Sequence, residues 1–379
     1  MRRLAMFLMI GTLAAAATLP ANAAELAAVL KTLRAVGPNG AGHREATRAW
    51  AALVRQADAS ALPVMLEAMD GANPLAANWL RTAIDAVAER GVQQGQPLPA
   101  AAMEKYVLDV RHSPQGRRLA YEWLLRLEPQ VQDRVIPRML NDSSLEMRRD
   151  AVARLLGEVS KLEETGQSVQ ALAGYQRALA AARDEDQVRL LAGRLKRLGD
   201  NVDLPRHFGF VTRWQVIGPF DNTEQKGFDI AYPPERKIDL AATYEGPHGP
   251  LKWGEQITRD DFGKVDLNII LGERKSVLAY ATADFLAPRR QAVEFRCTSD
   301  NAVKLWLNDR LIDVQHVYHS GSALDQYVTP AILEQGRNVI LVKVGQNALD
   351  QEWARGWSFQ LRVCDPQGTA ILSADRDKP

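Results

Sequence analysis

The stretch TSDNAVKLWLNDRLI, residues 298–312, decides how the second half of the chain is read. Val303, Leu305 and Leu307 alternate onto one face while Lys304 and Trp306 take the other, the two-residue period of a half-buried β-strand. Asn308 and Asp309 tolerate a positive φ and suit a tight hairpin turn, after which Leu311 and Ile312 resume the strand. Runs of the same kind recur: TRWQVIG from Thr212, SVLAYATADF from Ser276, QAVEFRC from Gln291, NVILVKV from Asn338 and WSFQLRV from Trp357. No long helical period separates them, so the region predicts an antiparallel β-sandwich.

Before residue 205 the period is different. From Ala24 to Gly199 the chain is rich in Ala, Leu, Arg and Glu, with breaks such as GPNG at Gly37, DGANP at Asp70 and HSPQG at His112. These space helices of ordinary length. In RVIPRMLNDSSLEMRRDAVARLLGEV, residues 134–159, an apolar helix is followed by Asp142, then by Arg148 and Ala151. Looser copies carry Asp70 with Arg81 and Ala83, and Asp109 with Arg118 and Ala120. The pattern resembles HEAT repeats, helix pairs of roughly 35–45 residues that cover one another's apolar faces by stacking. Turn aspartates can cap the next helix and pair with arginines along the stack. Residues 166–199 resemble a tetratricopeptide-type pair through Ala171, Tyr175, Ala178 and Leu179. That pair reads as the closing cap of the stack, with peptide binding as the alternative.

The N-terminus reads as a signal peptide, residues 1–23: Arg2 and Arg3, an apolar run from Leu4 to Leu19, Pro20, and small residues at Ala21–Ala23. The run falls short of the roughly 20 residues of a spanning helix, though an uncleaved anchor is the alternative. The expectation is an exported, periplasmic or extracellular protein with no integral membrane segment after cleavage. Residues 24–204 then form the helical repeat domain and 205–375 the sandwich. A formal net charge of +1 over 379 residues gives no basis for bulk capture of nucleic acid or an anionic membrane. Export would allow the two cysteines, Cys297 and Cys364, to bridge. Strand parity puts them on opposite faces, and only a bulge would bring them together.

Two further resemblances concern the sandwich. TSDNAVKLWLNDRLI followed by YVTPAILEQGRNVILVKVGQN is similar to the PA14 domain and to the galactose-binding-like jelly roll, including the sugar-binding domain of family 2 glycoside hydrolases. The ordered motifs YQRALAAARDEDQ, HFGFVTRWQVIGPFDN, GFDIAYPPE, VDLN, VYHSGSALDQY and RGWSFQLRVCD resemble a family of exported, largely uncharacterised bacterial HEAT-repeat proteins. That likeness implies an architecture and no activity. PA14 sugar binders often hold calcium on paired aspartates; here the pair is Asp300 and Asn301, and Ala302 replaces the usual glycine. Calcium takes six to eight oxygens, so turn capping competes with ligation at these positions, and no other cofactor is expected.

The candidate ligand contacts are Trp306, Asn308, His316, Tyr318, His319, Asp325 and Tyr327. Trp306 on the Lys304 face is either a flat platform for a sugar ring or a packed side chain. The polar, aromatic loop HVYHSGSALDQY carries the others, and loops on a rigid sandwich concentrate binding residues. His316 and His319 lack further ligands at metal spacing. WQVIGPFDN is expected to end its strand at Gly218-Pro219, and FDIAYPPE to be extended, because its prolines bar helix and central strand. Asp260 and Asp261 are adjacent, so they do not face one another as a glycosidase pair must. G-x-S-x-G, H-E-x-x-H, P-loop and dinucleotide fingerprints are missing. The reading is a non-catalytic scaffold, helical repeats for protein contacts and a sandwich for a glycan or an envelope partner. A polysaccharide-degrading enzyme and a purely structural envelope component are the alternatives.

Overall fold

The computed structural model describes residues 23–376 apart from His248, Ser320 and Ser322, so the expected leader lies outside the described residues except for Ala23. The helices run α1 (Ala23–Arg34), α2 (His43–Gln56), α3 (Leu62–Glu67), α4 (Pro74–Gln93), α5 (Ala100–Leu108), α6 (Pro114–Leu127), α7 (Val131–Val135), α8 (Leu145–Glu164), α9 (Ser168–Ala181), α10 (Glu185–Arg197) and α11 (Leu204–Phe208). None of the described helices is long and apolar enough to cross a membrane. The chain divides into two compact units at Arg148/Arg149, within α8, and the change from helix to strand follows α11.

Local chemistry sets the helix starts. Asn73 accepts from Leu75 N and Ala76 N ahead of Pro74, and Ser113 accepts from Gly116 N ahead of Pro114. Gly116 is needed because a Cβ there would lie 2.5 Å from the Tyr106 hydroxyl, which donates to Leu66 O. The turn residue Asp142 binds a buried arginine, Arg117. Arg117 Nη1 and Nη2 reach Asp142 Oδ1 and Oδ2 at 2.8 and 2.7 Å, and its Nε donates to Val107 O. Asp142 also accepts from Ser144 N, and its carbonyl accepts from Arg148 Nε. Arg118, half-buried, pairs with Glu122 one turn along α6. Asp70 accepts from Ser113 N and contacts His112 Nδ1 at 2.7 Å, tying one helix pair to the next.

The second half builds the sandwich: β1 (Arg213–Asp221), α12 (Pro233–Arg236), β2 (Thr243–Gly246), β3 (Gly249–Lys252), β4 (Gly254–Ile257), β5 (Val265–Asp266), α13 (Leu267–Leu271), β6 (Val277–Ala287), β7 (Gln291–Ser299), β8 (Val303–Leu307), β9 (Arg310–Gln315), β10 (Tyr327–Leu333), β11 (Gly336–Gly345) and β12 (Ser358–Cys364). A six-stranded sheet, β4-β1-β6-β11-β8-β9, packs on a four-stranded one, β10-β7-β12-β5, and all their strand pairings are antiparallel. Between them lie Trp214, Val216, Phe295, Leu305, Ile340, Val342, Trp357, Phe359 and Leu361. β6 faces this core with Ala279, Ala281 and Ala283, small residues that leave room for the rings opposite.

The expected hairpin forms. Asn308 and Asp309 have φ of 50° and 64°, the left-handed pair a two-residue hairpin requires. β1 does not stop at Gly218-Pro219; its register shifts there and pairing resumes at Phe220. The FDIAYPPE segment is not extended throughout: Pro233 and Pro234 open the short helix α12, where a missing N–H costs nothing. Pro330 lies in β10, an edge strand, the place a sheet tolerates proline.

Residues 222–253 fold back as a strap over part of the outer face of the six-stranded sheet. Beneath it Ile217, Phe220, Leu278, Tyr280, Trp306 and Leu341 form a second apolar cluster. The strap is pinned by Lys343, which is fully buried on β11. Its three donors reach Phe228 O, Ile230 O and Glu235 Oε1, each at 2.8 Å. Burial pulls its amine below the ordinary lysine range, against the pull of Glu235. The rings of Phe228, Tyr232 and Tyr280 surround the ammonium at 5.6–5.8 Å. Cys297 and Cys364 are free thiols. Cys297 packs in the core, whereas Cys364 points to the other face toward Glu294 O, as parity requires. Burial pushes Cys297 up to about 12 and Cys364 to about 11.

Arg117→Ala strands the Asp142 carboxylate, so chemical unfolding followed by circular dichroism is expected to show a loss of about 3–5 kcal/mol. Arg149→Ala removes exposed pairs with Asp184 and Asp186 and is expected to cost under about 1 kcal/mol. Equal effects of the two changes would refute the assignment of the Arg117 pair as the structural tie.

Candidate functional site

The antiparallel order brings five connections to one end of the sandwich: those after β1, before β6, between β7 and β8, between β9 and β10, and between β11 and β12. A buried amide network sets their positions. Asn301 Nδ2 donates to Gln346 Oε1 and to Gly356 O, both at 2.8 Å. Asn301 Oδ1 accepts from His319 N and from Asn347 Nδ2. Gln346 Nε2 and Asn268 Nδ2 both donate to Arg355 O, while Asn347 Nδ2 and Lys275 Nζ both donate to Ala354 O. The short turn Glu352–Ala354 is thus gripped by side-chain donors at the carbonyls just after Trp353. Asn222 joins the network through Tyr318 Oη and Gln346 O, and its own Oδ1 is buried without a hydrogen-bond partner.

The network also occupies the positions weighed for calcium, Asp300 and Asn301. Both polar ends of Asn301 are engaged by protein groups, and Asp300 Oδ2 accepts from Ser358 Oγ at 2.6 Å. Among the described residues no group of three or more His, Cys, Asp or Glu is placed to hold a metal ion.

Of the candidate contacts, His316, Tyr318 and His319 come together at this end. The His316 ring stacks on Phe228 at 4.4 Å, and Tyr318 lies 5.7 Å from His316. His319, at φ 61°, sets its ring edge-on to Trp353 at 4.8 Å. The other candidates lie elsewhere and make contacts within the fold. Trp306 is 7% exposed beneath the strap and is no open platform, because the folded-back segment covers the face it occupies. Asn308 accepts from Val339 N and donates to Asn338 Oδ1, stitching the hairpin tip to β11. Tyr327 opens β10 opposite Cys297 and packs on the core. Asp325 is clamped on the outer face of the four-stranded sheet by Arg362 Nε at 2.6 Å and Arg296 Nη1 at 2.8 Å. Burial works to raise its carboxyl, but these guanidiniums win and hold it below the usual range. Asp260 accepts from Phe262 N and Lys264 N and so shapes a turn.

Sequence reasoning passed over Trp353. It is 68% exposed, the most open of the described tryptophans. Its signal was a tryptophan in the polar loop NALDQEWARG, outside the alternating runs on either side. The combination of Trp353 and His319 presents aromatic surface to solvent on a turn with little freedom to move.

No protein-family model and no curated protein matches this chain. Solved structures with local likeness include a β-glucosidase from Kluyveromyces marxianus in complex with glucose, 15% identical over 43% of this chain and 17% of that one, with a TM-score of 0.26. A glycosyl hydrolase family 2 member from Bacteroides cellulosilyticus DSM 14838 is 16% identical over 42% of this chain and 21% of that one, TM-score 0.27. An anti-sigma factor domain-containing protein from Clostridium clariflavum is 15% identical over 43% and 45%, TM-score 0.22. The chain spans under half the length of each.

Truncating Trp306 to alanine empties a packed site and is expected to cost about 3–5 kcal/mol in denaturant unfolding. Trp353→Ala is expected to stay within about 0.5 kcal/mol of the parent. A second expectation concerns His207, which lies beside Arg183 and Arg362. Burial, reinforced by these cations, lowers it from 6.5 to about 4. Between those values the unfolded chain binds a proton that the folded chain does not. Stability is therefore complete above 6.5 and declines as pH falls toward 4. Melting temperatures across that window should decline less steeply for His207→Gln; identical slopes would remove His207 as the cause.

Proposed function

We propose that the chain is a non-catalytic binding protein whose sandwich takes a carbohydrate at its loop end through Trp353 and His319. The observation that carries this reading is the 68% exposure of Trp353 on a turn held by buried amides. A pyranose ring offers a C–H face to an aromatic ring, and a preset platform loses little entropy on binding. Polar backbone at the rim, with His319 edge-on at 4.8 Å, adds hydrogen-bonding partners for hydroxyls. The helical unit would supply protein contacts, as the HEAT-like pattern suggests, and the leader-like first 23 residues support export to the periplasm or beyond.

On a glycan array the parent is expected to retain a neutral glycan and Trp353→Ala to lose about tenfold or more in affinity. Since Trp353→Ala should fold normally, undiminished binding by it, or no glycan bound by the parent, would exclude this role.

A further inference from the structure

Trp353 is not alone in showing apolar surface at the loop end of the sandwich. Ile269, on α13, is 83% exposed, the most open large apolar side chain among the described residues, and Leu349 is 40% exposed. Both are tied to the Trp353 turn. Asn268 Nδ2 donates to Arg355 O at 2.9 Å. Asn347 donates through Nδ2 to Ala354 O at 2.9 Å and accepts from Leu349 N at 2.7 Å. Asp266 Oδ1 accepts from Ile269 N at 3.3 Å and fixes the start of α13. Packing does not require an isoleucine here, because Leu267, two residues earlier, already fills the core from this helix. Three large apolar side chains thus project from neighbouring turns whose backbones are held by side-chain hydrogen bonds.

Apolar side chains scattered singly over a surface need no explanation, but several gathered at one end mark a contact. The two connections, residues 267–276 and 346–357, carry Glu273, Asp350 and Glu352 against Arg274, Lys275 and Arg355. They bring no net charge to attract an anionic surface. A sugar in free solution would cover Trp353 and leave Ile269 and Leu349 in water. A sugar headgroup rooted in a bilayer meets all three. The indole sits at headgroup depth, where tryptophan is favoured, and the aliphatic tips reach the acyl boundary. We propose that the carbohydrate taken by the loop end is the headgroup of an uncharged glycolipid, with Ile269 and Leu349 entering the lipid surface beside it. This rests on the reading of Trp353 as a sugar platform and adds the lipid to it.

The test is flotation of residues 24–379, the form that leader cleavage leaves, with phosphatidylcholine vesicles. The vesicles are plain or carry a galactosyl, glucosyl or lactosyl lipid, and free galactose, glucose and lactose are titrated separately by calorimetry. Binding to a glycolipid vesicle is expected about tenfold or more tighter than to its free sugar, with none to plain vesicles and little change as salt rises. The double change Ile269→Ser and Leu349→Ser should weaken vesicle binding by about tenfold or more, and Trp353→Ala should weaken it as well. Ile269 and Leu349 are exposed, so the double variant should melt with the parent by circular dichroism; if it melts early, Ile269→Ser alone carries the comparison. Free-sugar binding with no preference for the vesicle, or vesicle binding indifferent to the serine changes, would overturn the lipid contact and leave the sugar platform standing. Equal binding to plain vesicles would overturn the proposal by removing the sugar. Failure to bind free sugar and vesicle alike would overturn platform and headgroup together.

Discussion

A fully buried ammonium governs the form of the sandwich. Lys343 sits in the middle of β11, between Tyr280 on β6 and Lys304 on β8. A charge in that position is tolerated only if every donor is used, and the strap supplies the partners: backbone oxygens of Phe228 and Ile230 and the carboxylate of Glu235. Lys304, its cross-strand neighbour on β8, reaches the same Phe228 oxygen. The strap is consequently a required part of the sheet's electrostatics and not a loop laid across it. Covering Trp306 and placing Phe228 under His316 both follow from where these lysines hold it.

The same logic recurs on the opposite sheet. Arg362 is buried and joins Asp325 to Phe208 O and Gly368 O, so β12, the loop before β10, α11 and the C-terminal turn share one cation. In the helical unit Arg117 does this for Asp142 and Val107. In each case a buried arginine or lysine ties elements that lie far apart in sequence, and backbone carbonyls accept alongside a carboxylate.

The architecture was legible in the sequence because it rests on period. Alternation through Val303, Leu305 and Leu307, and the helical spacing before residue 200, are local signals that burial reinforces. The site was legible only in part. His316, Tyr318 and His319 belong to a loop whose composition marks it, and the fold gathers them. Trp306 misled because parity places it on an outer face without saying what covers that face; the covering strap lies about seventy residues earlier, a relation no local pattern holds. Asp325 and Asn308 have the chemistry of ligand contacts, yet their partners, Arg362 and Val339, come from other strands. Trp353 escaped notice because exposure is a property of the folded loop.

The parity of the two thiols has a bearing on how the protein reaches its final covalent state. With Cys297 inside the core and Cys364 on the reverse of the same sheet, the native fold contains no cross-link to be made or broken. Their burial also keeps both sulfurs protonated at neutral pH and therefore poor nucleophiles for oxidants or mixed disulfides. Once folded, the sandwich is indifferent to the redox character of whatever compartment holds it.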